Sequence, residues 1–314
     1  MEYRQLGNSG LKVSTVGLGT NNFGGRIDAD RSAAVLRQAV EVGINFIDTS
    51  NSYGRGLSEE YIGRVMGEIR SRVLIATKVA SAMGEGPNSR GTSRHHIMEQ
   101  VEVSLRRLQT DHIDLYQIHF PDSSTPIEET LRALDDLVHQ GKVRYIGCSN
   151  FAAWQVCEAI WVSRLEHLTP FVSVQPEYNL LSRGIERELV PLCQAYSIGI
   201  IPYVPLAGGF LTGKYRQGEA APEGTRLAGN VRAQERTLTE RNYAYLSKLE
   251  GFAAERGHPM AELAVTWLLG NPAVSSVIAG ATRPEQVVEN ARACDWHLTP
   301  EEMKAVDALP RDRT

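Results

Sequence analysis

The chain has 314 residues, 42% of them hydrophobic and 22% charged, a balance that excludes a disordered chain and allows a sizeable core. Its 33 basic and 37 acidic residues leave a net charge of -4, which offers no general attraction to nucleic acid or an anionic membrane and points to a small-molecule partner. Length alone allows two domains, but (β/α)8 barrels of roughly 250 residues plus insertions are single domains, so one domain over 1–314 is expected.

In chain order, MEYRQLGNSGLKVS has two extended runs around the turn signal GNSG and predicts a hairpin placed to plug a barrel bottom. It contains neither a basic stretch followed by an apolar segment nor a run long enough to cross a bilayer, so a cytoplasmic location is expected by default. Strand and helix patterns then alternate: STVGLG, a helix near 30–42, INFID, a helix near 58–69, VLIATKV, a helix near 94–108, IDLYQIH and a helix near 127–140. VRYIGCS, a helix near 151–166, FVSVQPEY, a helix near 184–196, GIIPYVPL and, after an interruption, AVSSVIAG bring the strands to eight. Continuous apolar strands between amphipathic helices predict a parallel sheet covered by helices, here a (β/α)8 TIM barrel. An open doubly wound sheet is the alternative, but GLGTNNFGG after the first barrel strand lacks GxGxxG, a helix opening and a suitably placed acid. The interruption from Ala207 to Thr239 holds six glycines with weak periodicity and is expected to be a functional lid. Cys148, Cys157, Cys193 and Cys294 form no CxxC pair, so four buried free thiols and no metal site are expected.

Four polar residues stand at or just past apolar strand ends: Asp48 in INFID, Tyr53 in NSYG, Lys78 in VLIATKV and His119 in IDLYQIH. In a parallel barrel such ends share one face. Singly, each has an ordinary reading as a solvated lysine, a satisfied histidine, a turn aspartate or a packed tyrosine; their joint placement on successive strands is what points to a site. An ammonium near a phenol favours the phenolate, so Lys78 would lower the pKa of Tyr53, and Asp48 would keep a buried Lys78 charged. His119 would hydrogen-bond a substrate carbonyl oxygen and orient it.

GLGT, INFIDTSNSYG, ATKV, DLYQIHFPD, GKVRYIGCSN, QPEYN, YVPLAGGFLTGKY and GATRPEQVVEN, in this order and spacing, resemble the aldo-keto reductase family over nearly the whole chain. The resemblance implies a (β/α)8 barrel with an N-terminal β-hairpin and two extra helices. It also implies a catalytic tetrad of Asp48, Tyr53, Lys78 and His119, with Tyr53 as general acid. YVPLAGGFLTGKY and GATRPEQ are most similar to the branch that includes bacterial sugar-phosphate and carbonyl reductases and potassium-channel β subunits. The sequence ends at PRDRT, without the long tail that some members fold over the substrate, so a more open pocket is expected.

The same resemblance implies a nicotinamide cofactor bound without a Rossmann motif. Ser149, Asn150 and Gln175 match residues that hold the carboxamide, and Tyr203 matches the aromatic that stacks on the ring; Gly19, Thr20, Asn21 and Asp48 line the same groove. Val204, Pro205, Leu206, Ala207, Gly208, Leu211 and Lys214 match the stretch that contacts the pyrophosphate, where small residues expose backbone amides. Gly280, Thr282, Arg283, Gln286, Glu289 and Asn290 match the adenosine 2'-phosphate and adenine stretch, and Arg226 matches a further arginine contact. Two guanidiniums favour NADPH, whose extra phosphate they can pair with. Many members carry a lysine at Gly280 and a basic residue at Gln286, so use of NADH stays open.

By position on the strand-end face, Asn22, Phe23, Tyr53, His119 and Phe120 would rim the substrate pocket, with Arg26 and Arg55 as candidates for an acidic substrate. The expected activity is NADPH-dependent reduction of an aldehyde or ketone. The alternatives are a sugar or polyol dehydrogenase running in the oxidative direction and a slow-turnover cofactor-sensing interaction module. The physiological substrate and the oligomeric state are left open.

Overall fold

A computed structural model describes residues 1–310; the last four residues of the expected 1–314 domain lie outside the described residues. The chain opens with an antiparallel hairpin, β1 (Tyr3–Gln5) and β2 (Lys12–Ser14), in which Arg4 pairs with Val13. Eight parallel strands follow: β3 (Val16–Gly19), β4 (Phe46–Asp48), β5 (Leu74–Val79), β6 (Ile113–Ile118), β7 (Val143–Ser149), β8 (Ser173–Gln175), β9 (Gly199–Ile200) and β10 (Val277–Gly280). Their spatial order is β10-β3-β4-β5-β6-β7-β8-β9. The isolated parallel bridges Ile200–Val274 and Tyr203–Ile278 then join β9 to β10 and close the ring. The fold is the (β/α)8 barrel that the strand count predicts.

One helix fills each crossover up to β9: α1 (Ala29–Glu41), α2 (Leu57–Ile69), α3 (Arg94–Leu108), α4 (Ile127–His139), α5 (Ala153–Leu165) and α6 (Leu189–Tyr196). The predicted boundaries hold within two residues except for α6, which starts at Leu189 and not near 184. A separate 3-10 turn covers Gly184–Arg187. Pro191 explains the break: its ring nitrogen cannot donate to a carbonyl one turn earlier, so proline is tolerated only in a first turn. The β9–β10 connection carries three helices, α7 (Val231–Thr237), α8 (Glu240–Ala254) and α9 (Met260–Leu269), and α10 (Pro284–Arg292) and α11 (Pro300–Ala308) follow β10. Beyond one helix per strand the described residues hold the two expected extra helices and, inside the glycine-rich interruption, the seven-residue α7.

Strand side chains alternate, and the inward set changes character along each strand. Near the hairpin, Phe46, Ala76, Leu115, Ile201 and Ile278 cluster with Leu6 and Val13, so the hairpin seals this end with apolar side chains. Two residues further along, the same faces carry Asp48, Lys78 and Gln117, and β8 carries Gln175. The strand pattern therefore places an apolar floor below a polar chamber. Of the four cysteines, all free, Cys157 is half-buried and not buried as expected, because it lies on the outer helix α5. Among the described residues no helix is long and apolar enough to cross a membrane.

Leu6 is fully buried in the floor. Leu6→Ala should lower the unfolding free energy by about 2–5 kcal/mol, the usual cost of a core truncation that leaves a cavity. Urea denaturation checks it, and a loss below about 1 kcal/mol would mean that the hairpin does not act as part of the core.

Candidate active site

At the centre of the chamber Lys78 is 0% exposed, an environment in which an unpaired ammonium costs several kcal/mol. All three of its protons find acceptors: Nζ donates to both carboxylate oxygens of Asp48 and to the Thr49 carbonyl, each at 2.8 Å. Burial alone would push Lys78 down, yet the Asp48 charge and the neighbouring Tyr53 carry it above the usual lysine value. Asp48 is held in turn by Gln175, whose Nε2 donates to Oδ1 at 2.8 Å, and by Gln117 at 3.4 Å. The carboxylate is thereby tied to β5, β6 and β8.

Tyr53 opens the short turn Tyr53–Gly56 after β4, and its ring lies 5.2 Å from Lys78 Nζ. The expected lowering of its pKa is not found. Burial raises it, and this outweighs the opposing pull of the Lys78 charge. Tyr53 therefore keeps its proton at neutral pH, as a proton donor must. Beside it, the His119 ring lies 5.8 Å away centroid to centroid in an edge-on arrangement. Burial, helped by the Lys78 charge, drives the imidazole from 6.5 down to about 3, so His119 is neutral. Its Nδ1 lies 3.2 Å from the Ser50 hydroxyl.

The turn bearing Tyr53 is clamped from behind by groups that sequence reasoning passed over. Fully buried Glu59 accepts from the Thr77 hydroxyl at 2.6 Å and pairs with Arg107 at 3.4 Å. Arg107 also donates to the Asn51 carbonyl at 3.3 Å and covers Gly56, where a Cβ would collide with the guanidinium. Gly56 has φ +99°, so its lack of a side chain serves both the turn and this contact. The signal was present as an EE pair one turn into α2, but nothing in the sequence shows that one of the two faces inward.

A cavity of about 640 Å³ opens above these residues. Gly19, Thr20, Asn21, Asn22, Asp48, Tyr53, His119, Phe120, Ser149, Asn150, Gln175 and Tyr203 line its deep part. Val204, Pro205, Leu206, Gly208, Lys214 and Arg226 continue the wall, and Gly280, Thr282, Arg283, Gln286, Glu289 and Asn290 form its far end. Five expected residues are not on this wall. Arg55 is exposed in the turn after Tyr53 and does not line the cavity. Lys78 lies beneath it. Phe23 is fully buried in the core, because its backbone bridges to Ile27 in a tight loop that turns the ring inward. Leu211 is likewise buried, and Ala207 faces a neighbouring cavity. Arg26, Thr212, Glu223 and Thr225 are on the wall but were not singled out as cofactor contacts. Arg26 donates to the Gly224 carbonyl, which ties the β3 loop to the glycine-rich segment.

The groove fits a nicotinamide dinucleotide in the chemistry of its donors. Asn150, at φ 61°, donates to the Ser149 hydroxyl at 3.1 Å and to the His119 carbonyl at 3.0 Å, and accepts from the Tyr203 hydroxyl at 2.7 Å. These residues do not cap α5, whose first free backbone N–H, that of Ala152, bonds to Gln155 at 2.9 Å. Further along, Ala207, Gly208 and Gly209 all have positive φ, the kind of backbone that turns successive amides toward an anion. At the far end α10 begins with Pro284 behind Arg283, and Gln286 accepts from both the Thr282 N–H and its hydroxyl. Gln286 is thus committed to the loop.

Comparison with known proteins agrees with this geometry. Residues 15–311 match the Aldo/keto reductase family. The chain is 41% identical over 319 residues to a probable voltage-gated potassium channel subunit beta of Arabidopsis thaliana, covering 99% of this chain and 92% of that one. A protein of the same description from Oryza sativa subsp. japonica is 39% identical over 322 residues, covering 100% and 98%. An L-glyceraldehyde 3-phosphate reductase of Escherichia coli O157:H7 is 37% identical over 320 residues, covering 98% and 92%.

The depressed His119 pKa has a measurable consequence. Between pH 6.5 and about 3 the unfolded chain binds a proton that the native imidazole refuses. The stability due to neutral His119 is complete above about pH 6.5 and falls as pH drops toward 3, by up to about 1.4 kcal/mol per unit. His119→Asn, which cannot titrate there, should flatten that part of the acid limb in urea titrations from pH 7.5 to 4. An equal slope in both proteins would show that His119 titrates normally.

Proposed function

The chain belongs to the aldo/keto reductase family, and on that premise we propose that it reduces an aldehyde or ketone to an alcohol with NADPH. The observation that carries the reading is a protonated Tyr53 beside a neutral His119, above a buried Lys78–Asp48 pair. Ser149, Asn150 and Gln175 would hold the carboxamide and Tyr203 would support the ring; when bound, the cofactor supplies the hydride taken up by the carbonyl carbon. With the Ser50 hydroxyl donating to Nδ1, His119 presents Nε2–H to the carbonyl oxygen and fixes its position. Tyr53 gives its proton to the same oxygen as the carbon–hydride bond forms. Lys78 then faces the phenolate and stabilises it until Tyr53 regains a proton from solvent.

Arg226 and Arg283 at the wall support NADPH over NADH, since a guanidinium pairs with a phosphate bidentately. Gly280 and Gln286 bring no cation, which keeps dual use open. The same groups would also run the reverse reaction, oxidation of an alcohol. A second reading, a slow-turnover cofactor-binding subunit of a larger assembly, draws on the similarity to the two probable channel subunits. Turnover well below about 1 per second over a broad carbonyl panel, against a usual median of roughly 10, would favour it.

Tyr53→Phe should cut turnover of aldehydes by about 10²–10⁴, the range for losing a general acid, while NADPH binding followed by fluorescence stays within about twofold. Unchanged turnover in this variant would remove Tyr53 as the proton donor. Arg283→Ala should raise the KM for NADPH by about tenfold and leave that for NADH unaltered, as expected for one charge-assisted contact to the extra phosphate. Equal effects on both cofactors would count against that contact.

A further inference from the structure

Asp48 and Lys78 lie within β4 and β5 and His119 directly follows β6, so the sheet itself fixes their backbones. Tyr53 alone stands outside a strand, at the head of a turn that the chain does not adopt freely. Gly54, Arg55 and Gly56 have φ of 57°, 57° and 99°, three left-handed residues in succession. Arg55 carries a side chain in a region that favours glycine, and such a conformation persists only where its surroundings impose it.

Those surroundings lie outside the barrel, on α3. Asn51, two residues before Tyr53, is fixed at three points. Its N–H donates to the Lys78 carbonyl at 3.3 Å, its Nδ2 donates to Gln100 Oε1 at 3.1 Å, and its carbonyl accepts from Arg107 Nη1 at 3.3 Å. Gln100 and Arg107 are two turns apart on one face of α3. At the other end of the turn, the Arg107 guanidinium occupies the space beside Gly56 where a Cβ would collide with it. One cation thus braces the turn before and after Tyr53. Its own place is set by Glu59, which pairs with Nη1 at 3.4 Å and accepts from the hydroxyl of Thr77, the neighbour of Lys78 on β5, at 2.6 Å. Arg107, Glu59 and Gln100 do not line the active-site cavity.

We infer that Arg107 is a positioning residue for the proton transfer: from the outer layer of the barrel it holds the Tyr53 phenol at its distance from the substrate oxygen, with Glu59 fixing the guanidinium and Gln100 sharing the load at Asn51. The inference rests on the carbonyl reductase reading and adds to it a group that governs the rate without touching substrate or cofactor. A misplacement of about 1 Å at the reacting atoms can cost about a hundredfold, so a brace of this kind acts on kcat.

The test follows Arg107→Ala with NADPH and the best substrate of a panel of small aldehydes. Turnover should fall by about tenfold to a hundredfold, with KM for NADPH and for the aldehyde within about twofold. Arg107→Lys, whose ammonium can serve both acceptors of Nη1, should recover most of that loss. In a Tyr53→Phe background there is no phenol proton to place, and Arg107→Ala should then change turnover by less than about twofold. A general structural defect would cut the active fraction alike in both backgrounds, so equal losses overturn the inference, as does an unchanged kcat or a loss confined to KM. If Arg107→Ala does not fold because buried Glu59 has lost its cation, Arg107→Met with Glu59→Gln removes both charges and is read in the same way. If the wild type reduces no carbonyl at all, the reductase reading fails on its own. Amide hydrogen exchange then still reads the brace: residues 51–56 should exchange faster by about tenfold without Arg107, and equal exchange in both proteins would dismiss it.

Discussion

The site is organised by the need to bury one ammonium. A lysine with no exposure must either lose its proton or find acceptors for all three N–H bonds, and Lys78 finds them in Asp48 and the Thr49 carbonyl. That choice binds the rest. Asp48, now a buried anion, needs donors of its own and takes them from Gln175 and Gln117. The field of Lys78 then reaches outward, drawing the Tyr53 phenol down against burial and adding to the burial that strips His119 of its proton. Strands β4, β5, β6 and β8 are thus held in register by one charge as well as by their backbone ladders.

Much of this was legible before any coordinates. Asp48, Lys78 and His119 stood out because polar residues at the ends of apolar strands are costly unless they meet partners, and the parallel alternation required them to meet at one end. The support around them was not legible. Glu59 and Arg107 sit on helices whose polar residues are numerous, and only three-dimensional packing reveals that Glu59 faces inward and that Arg107 reaches back over Gly56. Phe23 and Leu211 were misplaced for a related reason: loop residues carry no periodicity that says which side chains turn inward. The raised pKa of Tyr53 shows a further limit, since the sequence names the cation nearby but not the depth of burial that opposes it.

The groove proposed for a dinucleotide lacks the glycine-rich helix opening of a doubly wound sheet. Here the backbone bends are concentrated after β9, where Val204, Ala207, Gly208, Gly209 and Gly213 have positive φ, while the helix start on the same cavity comes separately, at α10. The two halves are brought together by closure of the ring between β9 and β10, through bridges at Ile200–Val274 and Tyr203–Ile278. A loop and a helix that are about seventy residues apart in sequence become one binding wall because a barrel has no free edge.

The hairpin seal divides the molecule into two territories that respond to mutation by different rules. Leu6 and Val13 belong to the apolar floor. A change there reaches turnover through the fraction of molecules folded. A change at the exposed rim of the open end, such as Phe120, lies beside the reacting atoms and outside the buried core. Selection for a new carbonyl compound and selection for thermal endurance can therefore proceed on separate residues, with little of the usual conflict between them.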